Sequence, residues 1–332
     1  MGSKKEKKEP SLSDYKQDML KFFGKSSGVV IEKPEDLKIE KFSTGSMSLD
    51  NELAGGYPKG MVIELFGDNA TGKTTTAIHA AKEHQEKYPD EPILWVDLER
   101  VFDPAYNETI GLKCSEEDNF MLIRPSRGED VYEAAKKFCQ MNMGGLVVID
   151  SVSLILPAKE DEGDVGDAQM ASQARLNSQG LRMLFPHAAH SKTTVMFLNQ
   201  VRSKIGGYGD NDVTSGGRAI PFYSRVRLKT NRSKGEEGVS MGISYKIIKA
   251  TFGKHGSEGS LVRSSILFGE GIDRVGEIID VAIEHGIVQK SGSWFSYAGN
   301  QLAQGKFAVR SLLKGNEDLL NEIWDKVKEA EA

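Results

Sequence analysis

The sequence predicts an α/β fold on a mostly parallel sheet, and three observations predict it. Continuous apolar runs stand at 61–67 (MVIELFG), 92–99 (PILWVDLE), 144–151 (GGLVVIDS) and 193–200 (TTVMFLNQ). Runs of this kind, without alternation, belong to strands buried on both faces. Segments with helical spacing lie between them, at about 73–87 and 129–141, and that succession is the pattern of a sheet covered on both sides. Finally, a glycine-bounded loop joins the first run directly to the first helix.

Taken in order, residues 1–10 are mostly lysine and glutamate closed by Pro10, a composition that buries no apolar surface and predicts a disordered tail. Ser11 is placed to cap a helix whose residues Tyr15, Met19, Phe22 and Phe23 share one face, ending near Gly24. That face needs a partner to bury it. Val29 to Ile31 predict a short strand and Pro34 to Ile39 a connector. Beyond the four buried runs, RVRLKT (225–230) alternates and reads as an edge or half-exposed strand. Past Gly271 the pattern changes: a helix at about 274–285 capped by Gly286, small strands around Trp294 to Tyr297, and a last helix at about 316–330. The expected organisation is a tail (1–10), an N-terminal oligomerisation arm (11–40), a core (41–270) and a small α/β C-terminal domain (271–332).

The 332 residues are 39% hydrophobic and 27% charged, which excludes a disordered or fibrous chain. Lysine and arginine total 43 against 48 acids, a net charge of −5, which excludes a uniformly basic coat and leaves room for a local basic patch. Cys114 and Cys139 are too few for a disulfide framework and too far apart for a C-x-x-C pair. No apolar run reaches the ~18 residues of a membrane span and no signal peptide is recognisable, so a cytoplasmic protein without membrane partners is expected.

The loop Gly67-Asp68-Asn69-Ala70-Thr71-Gly72-Lys73-Thr74 fits G-x-x-x-x-G-K-[ST] between a buried strand and a helix. Its backbone N–H groups and the helix N-terminus would cradle phosphates, Lys73 would reach the β and γ phosphates, and the Thr74 hydroxyl would ligate Mg²⁺. Asp150 ends an apolar strand, the place of a carboxylate that holds the magnesium of an ATP complex. The run from Ile93 continues through Asp97 and Glu99 at the same sheet edge, and Glu99 is chosen as the base that activates water. Gln200, at the end of the next strand, could touch the γ-phosphate.

At this point the sequence resembles a RecA-type recombinase over about Leu12 to Val327. The likeness is carried by STGSMSLDNELAGG (43–56), GDNATGKTT (67–75), VDLERVFDPAY (96–106), VVIDSVSLILPAKEDEGDVGD (147–167), FLNQVRSKIG (197–206), TSGGRAIPFYSRVRL (214–228), LFGEGI (267–272) and WFSYAG with QGK (294–299, 304–306). The resemblance implies a RecA-like ATPase core, an N-terminal helix and strand that dock on the next protomer, and a helical filament, because a head-to-tail contact need not close. It implies Glu99 as catalytic carboxylate, Asp150 and Ser151 at the magnesium, Gln200 as γ-phosphate sensor, and nucleotide contacts through Thr75. It further implies adenine contacts from Asp103 and Tyr106, and Lys249 reaching the ATP of a neighbouring protomer. Where the family has a second lysine two residues on, this chain has Thr251, and Lys254 is the next cation.

From Val201 to Lys234 eight basic residues face two acids, a net +6 in an acidic chain. Inside this window the glycine-rich stretch Ile205 to Gly217 is too polar for core. It resembles the family's second DNA loop, which implies Arg202, Lys204, Thr214, Gly216 and Gly217 near DNA phosphates, with Arg218 adding charge where the family usually has Asn. The first loop, Pro157 to Asp167, carries five acids and one lysine, and the resemblance puts the phosphate-contacting pair downstream at Arg175 and Arg182. The function implied is ATP-dependent pairing and strand exchange between single- and double-stranded DNA. A RecA-like ring ATPase or helicase, and a P-loop small-molecule kinase, stay open as alternatives.

Overall fold

The computed structural model describes residues 11–23, 38–161, 170–202 and 213–331. The expected tail at 1–10, the strand at Val29 to Ile31, and parts of the two expected DNA loops lie outside the described residues. Met1–Glu40 and Lys41–Ala332 are separate compact units. In the first, helix α1 (Leu12–Phe23) starts where Ser11 and Asp14 cap each other: the Ser11 N–H donates to Asp14 Oδ2 at 2.8 Å and the Asp14 N–H to Ser11 Oγ at 3.3 Å. Leu12, Tyr15, Met19, Leu20 and Phe22 are all exposed, Phe22 by 84%.

The second unit opens with the antiparallel pair β1 (Lys41–Phe42) and β2 (Tyr57–Pro58), which flank α2 (Met47–Glu52) in the chain. Then come β3 (Val62–Gly67), α3 (Lys73–Lys87), β4 (Ile93–Asp97), α4 (Pro104–Ile110), β5 (Phe120–Ile123), α5 (Gly128–Gln140) and β6 (Gly145–Asp150). Next are α6 (Ala158–Asp161), α7 (Met170–Ser191), β7 (Thr193–Arg202), β8 (Val213–Thr214) and α8 (Ala219–Tyr223). The strands β9 (Ser224–Ser233), β10 (Ser240–Ala250), β11 (Leu261–Leu267) and β12 (Gly271–Ile272) follow. The C-terminal part is α9 (Arg274–Glu284), β13 (Val288–Ser291), β14 (Trp294–Tyr297), β15 (Asn300–Gln304), α10 (Lys306–Lys314) and α11 (Glu317–Glu331).

One sheet runs in the order β12-β11-β10-β9-β3-β7-β6-β4-β5, with β8 paired to β7. From β9 to β5 it is parallel, and β10, β11 and β12 extend it antiparallel. The expected α/β class therefore holds. Every residue of β3, β4 and β6 is buried, which is why their sequences are apolar apart from Glu64 within β3 and the aspartates that end β4 and β6. One face packs Ala77, Ile78 and Ala81 of α3 on Leu65, Trp95 and Leu228, and the other packs Val131, Phe138, Leu181 and Leu184 of α5 and α7 on Val147 and Phe197. RVRLKT is not an edge: β9 lies between β10 and β3, and it alternates because only the α3 side of this part of the sheet is fully buried. A third apolar cluster joins α9, β13, β14, α10 and α11 around Ile279, Phe295, Val309, Leu313 and Ile323, forming the small C-terminal domain. No helix among the described residues is long and apolar enough to cross a membrane.

Glu277 of α9 fastens this small domain to the core. Its carboxylate accepts from Ser46 Oγ at 2.8 Å, Met47 N–H at 2.7 Å and Ser48 N–H at 3.3 Å. Arg263, Asp273, Asp280 and Lys306 share a small cavity with it. Burial pushes the Glu277 carboxyl up to about 7, against the hydrogen bonds it accepts. A value raised in the fold favours the protonated form there, so this contribution to stability is full below the ordinary carboxylate range and is lost as pH rises through about 7. Relative to the non-titrating Glu277→Gln, the wild-type chain is expected to lose thermal stability between about pH 5 and pH 8. Melting temperatures across that range check this, and a constant difference between the two proteins refutes it.

Candidate nucleotide site and its DNA-facing stem

The loop after β3 turns back on the sheet so tightly that two positions admit no side chain. A Cβ on Gly67 would lie 2.3 Å from the Thr230 carbonyl oxygen, and one on Gly72, at φ +88°, 2.6 Å from Ile266 Cδ1. Thr71 Oγ1 meets Thr230 Oγ1 at 2.7 Å, pinning the loop to β9. Residues Asn69 to Thr75 then line a 470 Å³ cleft together with Glu99, Asp150 and Gln200. Lys73 Nζ donates to the carbonyls of Gly67 (3.1 Å) and Asp68 (2.7 Å), and burial lowers its pKa against the pull of Glu99 and Asp150.

Three carboxylates stand at this edge, and their surroundings separate them. Asp97 is buried and used within the fold: it accepts from the N–H groups of Val101 (3.2 Å) and Phe102 (3.3 Å) and from Arg124 Nε (2.9 Å). Asp150 faces Thr74, whose Oγ1 donates to Asp150 Oδ2 at 3.1 Å. Burial first, and the neighbouring Glu99 charge next, push Asp150 up to about 7. Glu99 is held by Ser151, whose Oγ donates to Glu99 Oε1 at 2.5 Å and lies 2.8 Å from Ser153 Oγ. The Asp150–Ser151 peptide is cis.

The hydroxyl of Thr74 and the carboxylate of Asp150 are hard oxygen donors on the cleft wall, a fit for Mg²⁺, which keeps most of its ligands as water and phosphate. Among the described residues no group of three or more His, Cys, Asp or Glu stands ready to hold a metal. The cleft edge also contains Arg232, Met241 and Phe268, which border a second cavity of 620 Å³ lined by Arg232 to Gly238. Their place was not read from the sequence. Phe268 lies within LFGEGI, but its place at the cleft depends on the antiparallel strands β10 and β11.

Asp103 and Tyr106 are not among the residues lining the cleft, although Tyr106 meets Thr75, which is. Asp103 caps α4, its Oδ1 accepting from the Ala105 N–H at 3.0 Å, and Tyr106 Oη lies 3.3 Å from Thr75 Oγ1 on α3. Lys249 is likewise not among the residues lining the cleft: its Nζ donates to the carbonyl of the exposed Phe222 at 3.3 Å. Lys254 is engaged with α2, its Nζ donating to Asn51 Oδ1 at 2.5 Å.

Gln200 leads from the cleft to the basic stretch. Its carbonyl accepts from the Ser215 N–H at 3.2 Å, and Ser215 Oγ accepts from Arg202 Nε at 2.9 Å. Asn199, buried, donates to Ser215 O at 3.0 Å and to Glu64 Oε1 at 2.9 Å, while Glu64 Oε2 accepts from Arg227 at 2.6 Å. The stem of the loop is clamped from α7 as well, where Asn177 Nδ2 donates to Gly216 O at 2.9 Å and Tyr132 Oη donates to Asn177 Oδ1 at 2.9 Å. A Cβ on Gly216 would lie 2.3 Å from Asn177 Nδ2 and one on Gly217 2.8 Å from Ala174 Cβ. Arg175 and Arg182 of α7, and Arg202 and Arg218 at the stem, are exposed, Thr214 is buried in the β7–β8 pairing, and Lys204 lies outside the described residues. The +6 window is therefore not one face: Arg227 is spent on Glu64, Arg225 lies over the Phe185 ring, and Arg232 edges the nucleotide cleft.

Residues 11–273 match the family model of the RecA N-terminal domain and residues 276–331 that of the RecA C-terminal domain. The chain is 37% identical over 329 residues to "Protein RecA" of Macrococcus caseolyticus (strain JCSC5402), covering 97% of this chain and 91% of that protein. It is 38% identical over 328 residues to "Protein RecA" of Staphylococcus aureus (strain JH9), covering 97% and 92%. Matches to both domains in their order, with these relatives along nearly the whole length, show that the chain belongs to the RecA family of DNA recombinases, which are DNA-dependent ATPases.

Proposed function

We propose that the cleft binds ATP with Mg²⁺, and that its hydrolysis there is tied to single-stranded DNA held at the stem of 203–212, within a helical filament of copies of this chain. The filament pairs the strand with a homologous duplex and exchanges strands, the bases supplying the specificity. The observation that carries this reading is the short connection Gln200–Ser215–Arg202, from the phosphate cleft to the loop stem. The chain is read as a tail (1–10), an oligomerisation arm (11–40), an ATPase core (41–270) and a C-terminal domain (271–332), in the cytoplasm.

In this reading Gly67 to Thr75 wrap the phosphates, and Lys73 exchanges its two loop carbonyls for the β and γ phosphates. Thr74, and Asp150 with Ser151 beside it, would hold Mg²⁺, which would supply neutralisation of charge developing on the phosphates. Glu99, oriented by Ser151, takes the proton of the water that attacks the γ-phosphorus, and ADP and phosphate leave. Gln200 senses the γ-phosphate and moves the Ser215 stem with it. Asp103 and Tyr106 are proposed for the adenine, on the α4 side. Lys249 is proposed to serve the ATP of a neighbouring copy, since it does not line its own cleft. Arg175, Arg182, Arg202, Lys204 and Arg218 contact DNA phosphates, whereas Thr214, Gly216 and Gly217 act through the backbone they shape. Double-stranded DNA joins at the same filament. The exposed apolar face of α1 is what docking on another copy would cover.

Lys73→Ala is expected to abolish ATP turnover, while Glu99→Gln retains nucleotide and DNA binding and slows hydrolysis by about 10²- to 10⁴-fold. Steady-state ATPase assays with and without single-stranded DNA check both, and full turnover by Glu99→Gln removes that residue from its role. Arg202→Ala is expected to weaken single-strand binding and to flatten the slope of log affinity against log salt by about 0.7; an unchanged slope means that Arg202 meets no phosphate. Electron microscopy with single-stranded DNA and a slowly hydrolysed ATP analogue should show helical filaments. Closed rings alone would overturn the reading.

A further inference from the structure

Helix α3 carries the phosphate cradle at its first turn, and six residues beyond Lys73 it carries a buried histidine, about 9 Å along the helix. The His79 ring sits in a slot built from two glycines on separate segments. A Cβ on Gly271, at φ +86°, would lie 2.1 Å from His79 Nε2, and one on Gly45, at φ +87°, 2.7 Å from His79 Cβ. Its Nε2 accepts from the Ile272 N–H at 2.8 Å, on β12, directly before α9. Burial, with Lys82 nearby, lowers its pKa to about 4, so near neutral pH the ring is an uncharged acceptor. The other side of the joint is Glu277 of α9, whose carboxylate holds Ser46, Met47 and Ser48 of the turn that contains Gly45.

These contacts form a continuous path. The phosphate loop is rigidly continuous with α3; α3 touches both the turn before α2 and the strand before α9; and α9 grips that same turn. We propose that His79 is a positioning residue that couples nucleotide at the phosphate loop to the seating of the C-terminal domain, through its hydrogen bond to Ile272 and the turn shared with Glu277. A bound polyanion that fixes the N-terminal end of α3 fixes the acceptor of the Ile272 amide, and the domain that begins two residues later is held more firmly. The proposal rests on the reading of the cleft as an ATP site.

The test is amide hydrogen exchange on the full-length protein, alone, with ADP and with a slowly hydrolysed ATP analogue, following the segment 271–284 and using β6 as a check of the fold. In the wild-type chain nucleotide is expected to slow exchange at the Ile272 amide by about tenfold. His79→Ala is expected to abolish that response. His79→Gln, whose amide oxygen can still accept, is expected to restore at least part of it and guards against a variant that folds poorly. Binding of a fluorescent ATP analogue is measured on the same samples, with Lys73→Ala as control, so that loss of the underlying reading is seen separately. Nucleotide that binds the wild-type chain without slowing exchange at Ile272 overturns the coupling. So does a His79→Ala protein that keeps the β6 protection and the full nucleotide response. A structural role alone would shift exchange equally with and without nucleotide.

Discussion

The close approach of the phosphate loop to strands β9 to β11 is the constraint on which the cleft depends. A cradle that holds phosphate with main-chain N–H groups needs bare backbone at the tip of a buried strand. Here that backbone is pressed against neighbouring strands, with Gly67 over the Thr230 carbonyl and Gly72 over the side-chain ends of Ile243 and Ile266. Strands β9 to β11 are thus the floor on which the loop rests. They also bring Arg232, Met241 and Phe268 to the edge of the cleft from a part of the chain more than 150 residues later.

The charged groups around the cleft divide their work by what surrounds them. Asp97 meets two backbone amides and Arg124, so it orders the segment that presents Glu99. Glu99 is braced by Ser151, and Asp150 is buried next to the Thr74 hydroxyl. Glu64, fully buried in β3, ties Asn199 to Arg227, and through Asn199 holds Ser215 next to the strand end that carries Gln200. Leaving a buried carboxylate such as Glu64 unpaired would be costly, which gives Arg227 a structural task although it lies within the basic window 201–234.

The order of elements was legible because fully buried parallel strands require unbroken apolar runs, and the loop could be read because few residue types satisfy its geometry. Of the two acids that follow Ile93, Asp97 is taken up by the Val101 and Phe102 amides and by Arg124, bonds to distant residues that its place in the sequence does not show. Strands β10 and β11 were not read in advance. Their residues alternate, with Ser, Lys and Arg among the apolar positions, since part of one sheet face is only half-buried. The +6 count likewise misled about faces: residues two apart in β9 point the same way, yet what each meets there depends on β3, α7 and the cleft edge.

Fold class, the glycine-bounded loop after β3 and the aspartates that end β4 and β6 were determined by the sequence alone, because local spacing and residue type decide them. Family membership was visible there too, in motifs spread along the chain. Only the tertiary structure decided which cation is neutralised, which glycine is required by a neighbour, and which polar groups link the cleft to the Ser215 stem and to the C-terminal domain. Those outcomes depend on pairs such as Glu64 with Arg227, Asn177 with Gly216 and His79 with Ile272. Each pair is far apart in the chain, and a hydrogen bond across that separation leaves no periodic trace in either segment.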